Sequence, residues 1–194
     1  ALSSADVDAW LQEAMAAMDS AEAEATAPAK MSLKKEFKHE VGRKACGANL
    51  KVVDASGASR DSLFDLRYCD MTGKTADGYD LAGAILSEAD FSKASFKETV
   101  MSKSYARGSK FVGADFTNGV VDRVSFDGSD MTDAVFMNAV LTGTSFDDAN
   151  LENVDFSDSF IGDFELRKIC KNPTLKGENS KTGAPTKASA GCGG

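Results

Sequence analysis

Phe146, Leu151 and Phe156 lie five residues apart, and polar residues fill the intervals. The interval persists far upstream. Leu66, Met71, Ala76, Leu81, Leu86, Phe91, Phe96, Met101, Ala106, Phe111, Phe116, Val121, Phe126, Met131, Phe136, Leu141, Phe146, Leu151, Phe156 and Ile161 form twenty consecutive apolar positions on one five-residue step. A helix buries residues at three- and four-residue spacing and a strand alternates, so neither explains a period of five. The residue two before each of these positions is usually small, as at Ala84, Ala89, Ala94, Ala114, Ser129, Ala134 and Ala149. The residue two after is often Gly, Asn or Asp, as at Gly83, Gly108, Asn118, Gly128, Asp133 and Asn153. Those residues tolerate the left-handed backbone of a tight corner. Each pentad therefore reads as one short side and one corner, with the large residue and the small one pointing inward.

A second period is superimposed on the first. Phe96, Phe116, Phe136 and Phe156 are 20 residues apart, whereas Leu81, Met101, Val121, Leu141 and Ile161 include no aromatic residue. Four sides closing one square coil give that repeat, and the phenylalanines of one side then stack as an internal ladder. Stacked repeats share one continuous core and fill it with side chains.

The pentads resemble the pentapeptide-repeat family, whose unit is written A(D/N)LXX. The match is close at Ala89-Asp90-Phe91, Ala114-Asp115-Phe116, Ser129-Asp130-Met131 and Ala149-Asn150-Leu151. The resemblance implies an all-β solenoid, a right-handed quadrilateral β-helix. About five coils at the usual inter-strand distance make a rod on the order of 24 Å long. The expected organisation is an N-terminal helical extension and linker over 1–45, the β-helix over 46–163, and a cap with a tethered tail over 164–194.

The flanks have their own patterns. Val7, Trp10, Leu11, Met15 and Met18 form an apolar stripe at helical spacing, Ser3 with Asp6 suits a capping box, and Pro28 follows the helix. Leu33, Phe37 and Val41 suggest a second short helix, and Gly47-Ala48-Asn49-Leu50 looks like a stray pentad in an irregular first coil. Phe164, Leu166 and Ile169 suggest a short C-terminal helical cap, which the open end of a solenoid requires. The tail from Asn172 to Gly194 is polar and is expected to be extended. The sequence begins at Ala1, as expected of a mature form from which a targeting segment was removed.

The four cysteines fall as two pairs, Cys46 with Cys69 near the start of the solenoid and Cys170 with Cys192 beyond its end. Neither pair has CxxC spacing, and His39 is the one histidine, so no metal is expected. Two disulfides would each clamp a cap. The alternative for Cys69 is a buried thiol at a small inward position. Disulfides imply an oxidising compartment. The segment from Cys170-Lys171-Asn172-Pro173 through Thr182-Gly183-Ala184-Pro185 to Gly191-Cys192 resembles the C-terminal segment of the pentapeptide-repeat proteins of the chloroplast thylakoid lumen. That resemblance implies the lumen as the location.

A filled bore leaves no plan for an active site, and no cofactor is expected. Asp155, Asp158 and Asp163 follow corners rather than a Ca²⁺ loop. A net charge of −8 argues against nucleic acid as a direct ligand. No apolar run is long enough to span a membrane. The expected function is therefore non-enzymatic, a structural or assembly subunit that binds a protein partner on the lumenal face of a photosynthetic membrane complex. The alternative is an acidic DNA mimic that inhibits a topoisomerase. Acid from Asp127 to Asp163 without Lys or Arg suits a mimic, but Lys93, Lys97, Lys103, Arg107, Lys110 and Arg123 interrupt the first half. One outward column differs from the others. Val100, Val120, Val140 and Phe160 precede the inward residues of one side, where other sides carry mainly Asp, Ser or Asn. An exposed apolar stripe marks a contact surface, and the Trp10 face of the N-terminal helix or another protein would cover it.

Overall fold

The computed structural model describes residues 48–50 and 63–193. The expectations for the N-terminal helix with Trp10, for the segment around Phe37 and for Cys46 lie outside the described residues.

The solenoid is built from single-residue parallel bridges spaced 20 residues apart. They run from Asp65↔Ile85 without a break to Val140↔Phe160, in four columns. Wall one carries Leu66, Leu86, Ala106, Phe126 and Phe146 on its inner face. Wall two carries Met71, Phe91, Phe111, Met131 and Leu151. Wall three carries Ala76, Phe96, Phe116, Phe136 and Phe156, and wall four Leu81, Met101, Val121, Leu141 and Ile161. All but Ile161 are buried, and so are the small inward residues such as Ala84, Ala89 and Ala114.

Each wall joins the next through a tight turn, as where Ala84 N–H donates to Leu81 O at 3.0 Å. The third residue of every turn from Tyr68 to Asp158 has positive φ, which is the type II geometry. Several of these residues are neither Gly, Asn nor Asp: Lys93 has φ of 60° and Arg123 of 55°. Coil closure imposes the corner, and a residue in the left-handed region costs about 1–2 kcal/mol there.

Ser and Thr at inward positions have a specific partner. Thr99, Ser104, Ser109 and Ser129 hydroxyls donate to Ala76, Leu81, Leu86 and Ala106 carbonyls at 2.6–2.7 Å. Thr144 does the same to Val121. These hydroxyls are buried, and each finds its acceptor one coil below, so they enter the bore paired.

On wall three the rings of Phe96, Phe116, Phe136 and Phe156 stack, with centroids 5.0, 4.6 and 5.6 Å apart and planes within 6°. Phe91 stacks on Phe111 in wall two, and Phe126 on Phe146 in wall one. Edge contacts such as Phe126–Phe136 at 6.0 Å tie the stacks together.

The two ends depart from the expectations. Strand β1 (Ala48–Leu50) pairs antiparallel with β2 (Leu63–Asp65), so the stray pentad is not a rung of an irregular first coil. A strand running back across the first rung covers an edge that a parallel coil would leave exposed. Cys69 is buried at the inward small position of wall two, while its expected partner Cys46 belongs to the undescribed stretch.

At the other end helix α1 (Asp163–Ile169) follows the last rung, with Ile169 turned to the core. The tail is not extended. It folds back as a strap containing helix α2 (Thr186–Ser189), and Leu175, Asn179 and Thr186 are buried. The strap takes the place of the next coil. Leu151 N–H donates to Thr174 Oγ1 at 2.8 Å, Asn153 N–H to Lys176 O at 2.9 Å, and Phe156 N–H to Ser189 Oγ at 3.0 Å. Gly177 passes so close to Asn153 that a Cβ would collide with its side-chain oxygen.

Asn179 is the anchor of the strap. Its Nδ2 donates to the carbonyls of Asp133, Ala134 and Asn153, and its Oδ1 accepts from Lys181 and Thr182 N–H. The outward Val135 and Asp155 of wall three are buried in this region. An Asn179→Ala change is expected to cost about 2 kcal/mol, because it strips donors from buried carbonyls. Urea denaturation of the single variant checks this.

Candidate functional site: an apolar column on the outer face

Among the described residues no three His, Cys, Asp or Glu side chains gather to hold a metal ion. The bore is occupied by the buried side chains of all four walls. Chemistry available to this fold therefore lies on its outer surface.

On that surface, wall four stands apart. The bridges Asp80↔Val100, Val100↔Val120, Val120↔Val140 and Val140↔Phe160 place the four apolar residues in one column beneath which Leu81 to Ile161 fill the core. Each sits one residue before an inward side chain, so alternation turns it outward. Val100 and Val140 are half-buried by their neighbours, Val120 is 37% exposed and Phe160 65% exposed. Phe164, four residues on in α1, is 60% exposed, with Lys168 Nζ 5.5 Å from its ring centroid. The sequence pattern did not single out Phe164 as exposed, because it reads there as a cap residue.

The other walls are polar by comparison, and their side chains satisfy one another. On wall two Asp90 Oδ1 accepts from Ser92, and Asp130 Oδ1 from Thr132. On wall three burial pushes the Asp115 carboxyl up, but bonds from Thr117 and the Lys97 ammonium at 3.3 Å outweigh it and hold its pKa below the ordinary range. On wall one Asp127 accepts from Ser125 and Ser145, and Arg107 lies 3.6 Å away. Tyr105 on wall one is exposed among such polar neighbours, whereas wall four stacks its apolar residues in one column.

At the C-terminal end Cys170 and Cys192 form a disulfide, with Cα atoms 5.5 Å apart. It joins the end of α1 to the residue that closes the strap. Trp10 and Cys46, the remaining candidates, belong to the undescribed stretch. Among the described residues no helix is long and apolar enough to cross a membrane.

The pentapeptide-repeats family profile matches residues 65–97, 84–119 and 122–158, with eight copies of the repeat. Among solved structures, a pentapeptide repeat protein from the Arabidopsis thaliana thylakoid lumen is 26% identical, covering 63% of this chain and 90% of that one, with a TM-score of 0.32. HetL, a pentapeptide repeat protein involved in heterocyst differentiation regulation in the cyanobacterium Nostoc, is 19% identical, covering 51% of this chain and 49% of its own, with a TM-score of 0.45. QnrB1, a plasmid-mediated fluoroquinolone resistance protein, is 18% identical, covering 50% and 64%, with a TM-score of 0.33. No curated protein matches the chain significantly. The unbroken pentads, the 20-residue bridges and the family match over residues 65–119 and 122–158 agree, and this part of the chain belongs to the pentapeptide-repeat family, folded as a four-walled β-helical solenoid.

Proposed function

We propose that this protein is a non-enzymatic binding or assembly subunit of a protein complex in the thylakoid lumen, and that the column Val100–Val120–Val140–Phe160 is its contact surface. The observation that carries the reading is the alignment of four apolar residues in one outward column, with Phe160 and Val120 exposed, whereas Tyr68, Tyr105 and Met137 are exposed outside it. Apolar residues stacked in one exposed column gain from leaving water together, at about 25 cal/mol per Å² covered. The Cys170–Cys192 bridge supports an oxidising compartment. The Cys170-to-Cys192 segment, similar to that of lumenal pentapeptide-repeat proteins, supports the lumen. A photosynthetic membrane complex is the partner class that fits such a compartment.

The test is a Val120→Asp, Val140→Asp double variant. Both side chains lie outside the bore, so the solenoid should keep its circular dichroism spectrum and melt within a few degrees of the parent. Proteins recovered by the parent from solubilised thylakoids should be lost with the variant. If the recovered set is unchanged while the N-terminal segment becomes protease-sensitive, the column serves the Trp10 face of the chain itself. If the variant unfolds, the column belongs to the core and the surface assignment is wrong.

A further inference from the structure

In the lower coils of wall one, backbone bonds tie each rung to the next. Phe126 N–H donates to Ser145 O at 2.9 Å, Gly128 N–H to Asp147 O at 2.8 Å, and Ser145 N–H to Val124 O at 2.9 Å. After the last rung the chain leaves into α1 before another rung forms. The groups that would bond it are Phe146 N–H, Asp148 N–H and Thr144 C=O. Among the described residues none of the three has a hydrogen-bond partner. Walls two and three differ, because the strap supplies acceptors there. In place of the missing rung on wall one lies an open groove of about 430 Å³, bordered by Phe146, Asp147, Asp148, Glu165 and Lys168. Phe146 is the most exposed of the buried phenylalanines, at 6%.

We propose that this edge is a strand-addition site, and that its occupant is the basic leader of the same chain, Met31–Phe37. A row of unpaired donors and acceptors is a template for an extended backbone. Charge then selects the segment. From Asp127 to Asp163 the chain carries acid without Lys or Arg, whereas Lys30, Lys34, Lys35, Lys38, Arg43 and Lys44 face only Glu36 and Glu40 in the leader. Two lysines line the groove, Lys168 and Lys171, against Asp147, Asp148 and Glu165. Lys168 is already committed to Asp147 at 2.8 Å, which raises the Lys168 pKa.

Reach is sufficient. Strand β1 lies on the first rung of wall one, six rung spacings from the open edge, or about 29 Å. The ten residues 38–47 span at most about 33–36 Å when extended. Phe37 is thus the first leader aromatic that arrives. In an extended chain Met31, Leu33 and Phe37 share one face, which can lie over Phe146. The four-residue spacing of Leu33, Phe37 and Val41 also fits a helix, but only an extended backbone meets all three edge groups. Tethering removes most of the association entropy, with effective concentrations of the order of millimolar.

Amide hydrogen exchange by NMR on the full chain tests this, comparing the parent with Lys34→Glu, Lys35→Glu, Lys38→Glu. These changes lie outside the solenoid. The amides of Phe146 and Asp148 should exchange about 100-fold faster in the variant than in the parent, with Phe126 unchanged as the internal control. High salt should move the parent toward the variant. Fast exchange in both chains overturns the proposal and leaves the groove to a separate partner. Slow exchange in both overturns the leader as occupant. Protection that disappears on dilution assigns the edge to a second copy and overturns the intramolecular arrangement. None of these outcomes depends on the wall-four column, so the two readings fail independently.

Discussion

Replacing Phe136 by Ala is expected to cost about 3–5 kcal/mol, the range for truncating a buried phenylalanine. Phe136 is fully buried and meets four other rings: Phe116 at 4.6 Å, Phe156 at 5.6 Å, Phe146 at 5.8 Å and Phe126 at 6.0 Å. Collapse around the cavity is restricted, because the rungs above and below are held by backbone bonds on the same wall. Phe116 N–H donates to Val135 O at 2.7 Å, and Phe136 N–H to Asp155 O at 2.7 Å. The walls cannot move inward without breaking that ladder, so the void persists and the cost lies at the upper end. Lost ring stacking, about 0.5–1.5 kcal/mol per pair in isolation, is part of that total. Thr142→Ala, on the outer side of wall four, should stay within about 0.5 kcal/mol of the parent. Guanidinium denaturation of the two variants gives the comparison. A Phe136→Ala loss no larger than that of Thr142→Ala would show that the ladder is not the core.

The parts of this molecule that repeat were legible, and the parts that do not repeat were not. Phe96, Phe116, Phe136 and Phe156 could be placed on one wall because a 20-residue spacing in sequence becomes one rung spacing in space. The column from Val100 to Phe160 followed from the same register. Corners were only half legible. Gly83 and Asn118 announce a left-handed residue, but Lys93 and Arg123 adopt it against their preference because the wall before and the wall after leave no other turn. The ends carry no period. Asn179 looks like a residue of a polar tail, and its role is set by carbonyls at Asp133 and Ala134, more than forty positions away. Thr174 and Ser189 likewise act as substitutes for a rung, which nothing in their own neighbourhood reveals. Strand β1 resembled a pentad because Ala48-Asn49-Leu50 has the right residues. Its direction depends on how the chain returns to β2, which composition does not encode. The open edge on wall one was illegible for the same reason, since it is defined by where α1 departs.

Removing the disulfide is expected to have the next largest effect. Cys170 and Cys192 are separated by 22 residues and enclose almost the whole strap. Closing a loop of that size restricts the unfolded chain by about 3 kcal/mol in the chain-entropy account. The effect should be local as well as global, because each coil of a solenoid depends on its neighbours rather than on the whole. In the Cys170→Ser, Cys192→Ser variant the strap should detach first. Its departure leaves Leu151, Asn153 and Phe156 N–H without the acceptors at Thr174, Lys176 and Ser189. It also uncovers Leu175 and Ala190, which pack against the core. Amides of the last coil should therefore exchange faster, while those of Phe96 and Phe116 keep their protection. Dithiothreitol on the parent protein should reproduce the pattern, with a lowered melting temperature. If reduction leaves Leu151 and Asn153 protected and the melting temperature unchanged, the strap is held by Asn179 and its neighbours alone. The bridge would then contribute nothing to the closed end of the solenoid.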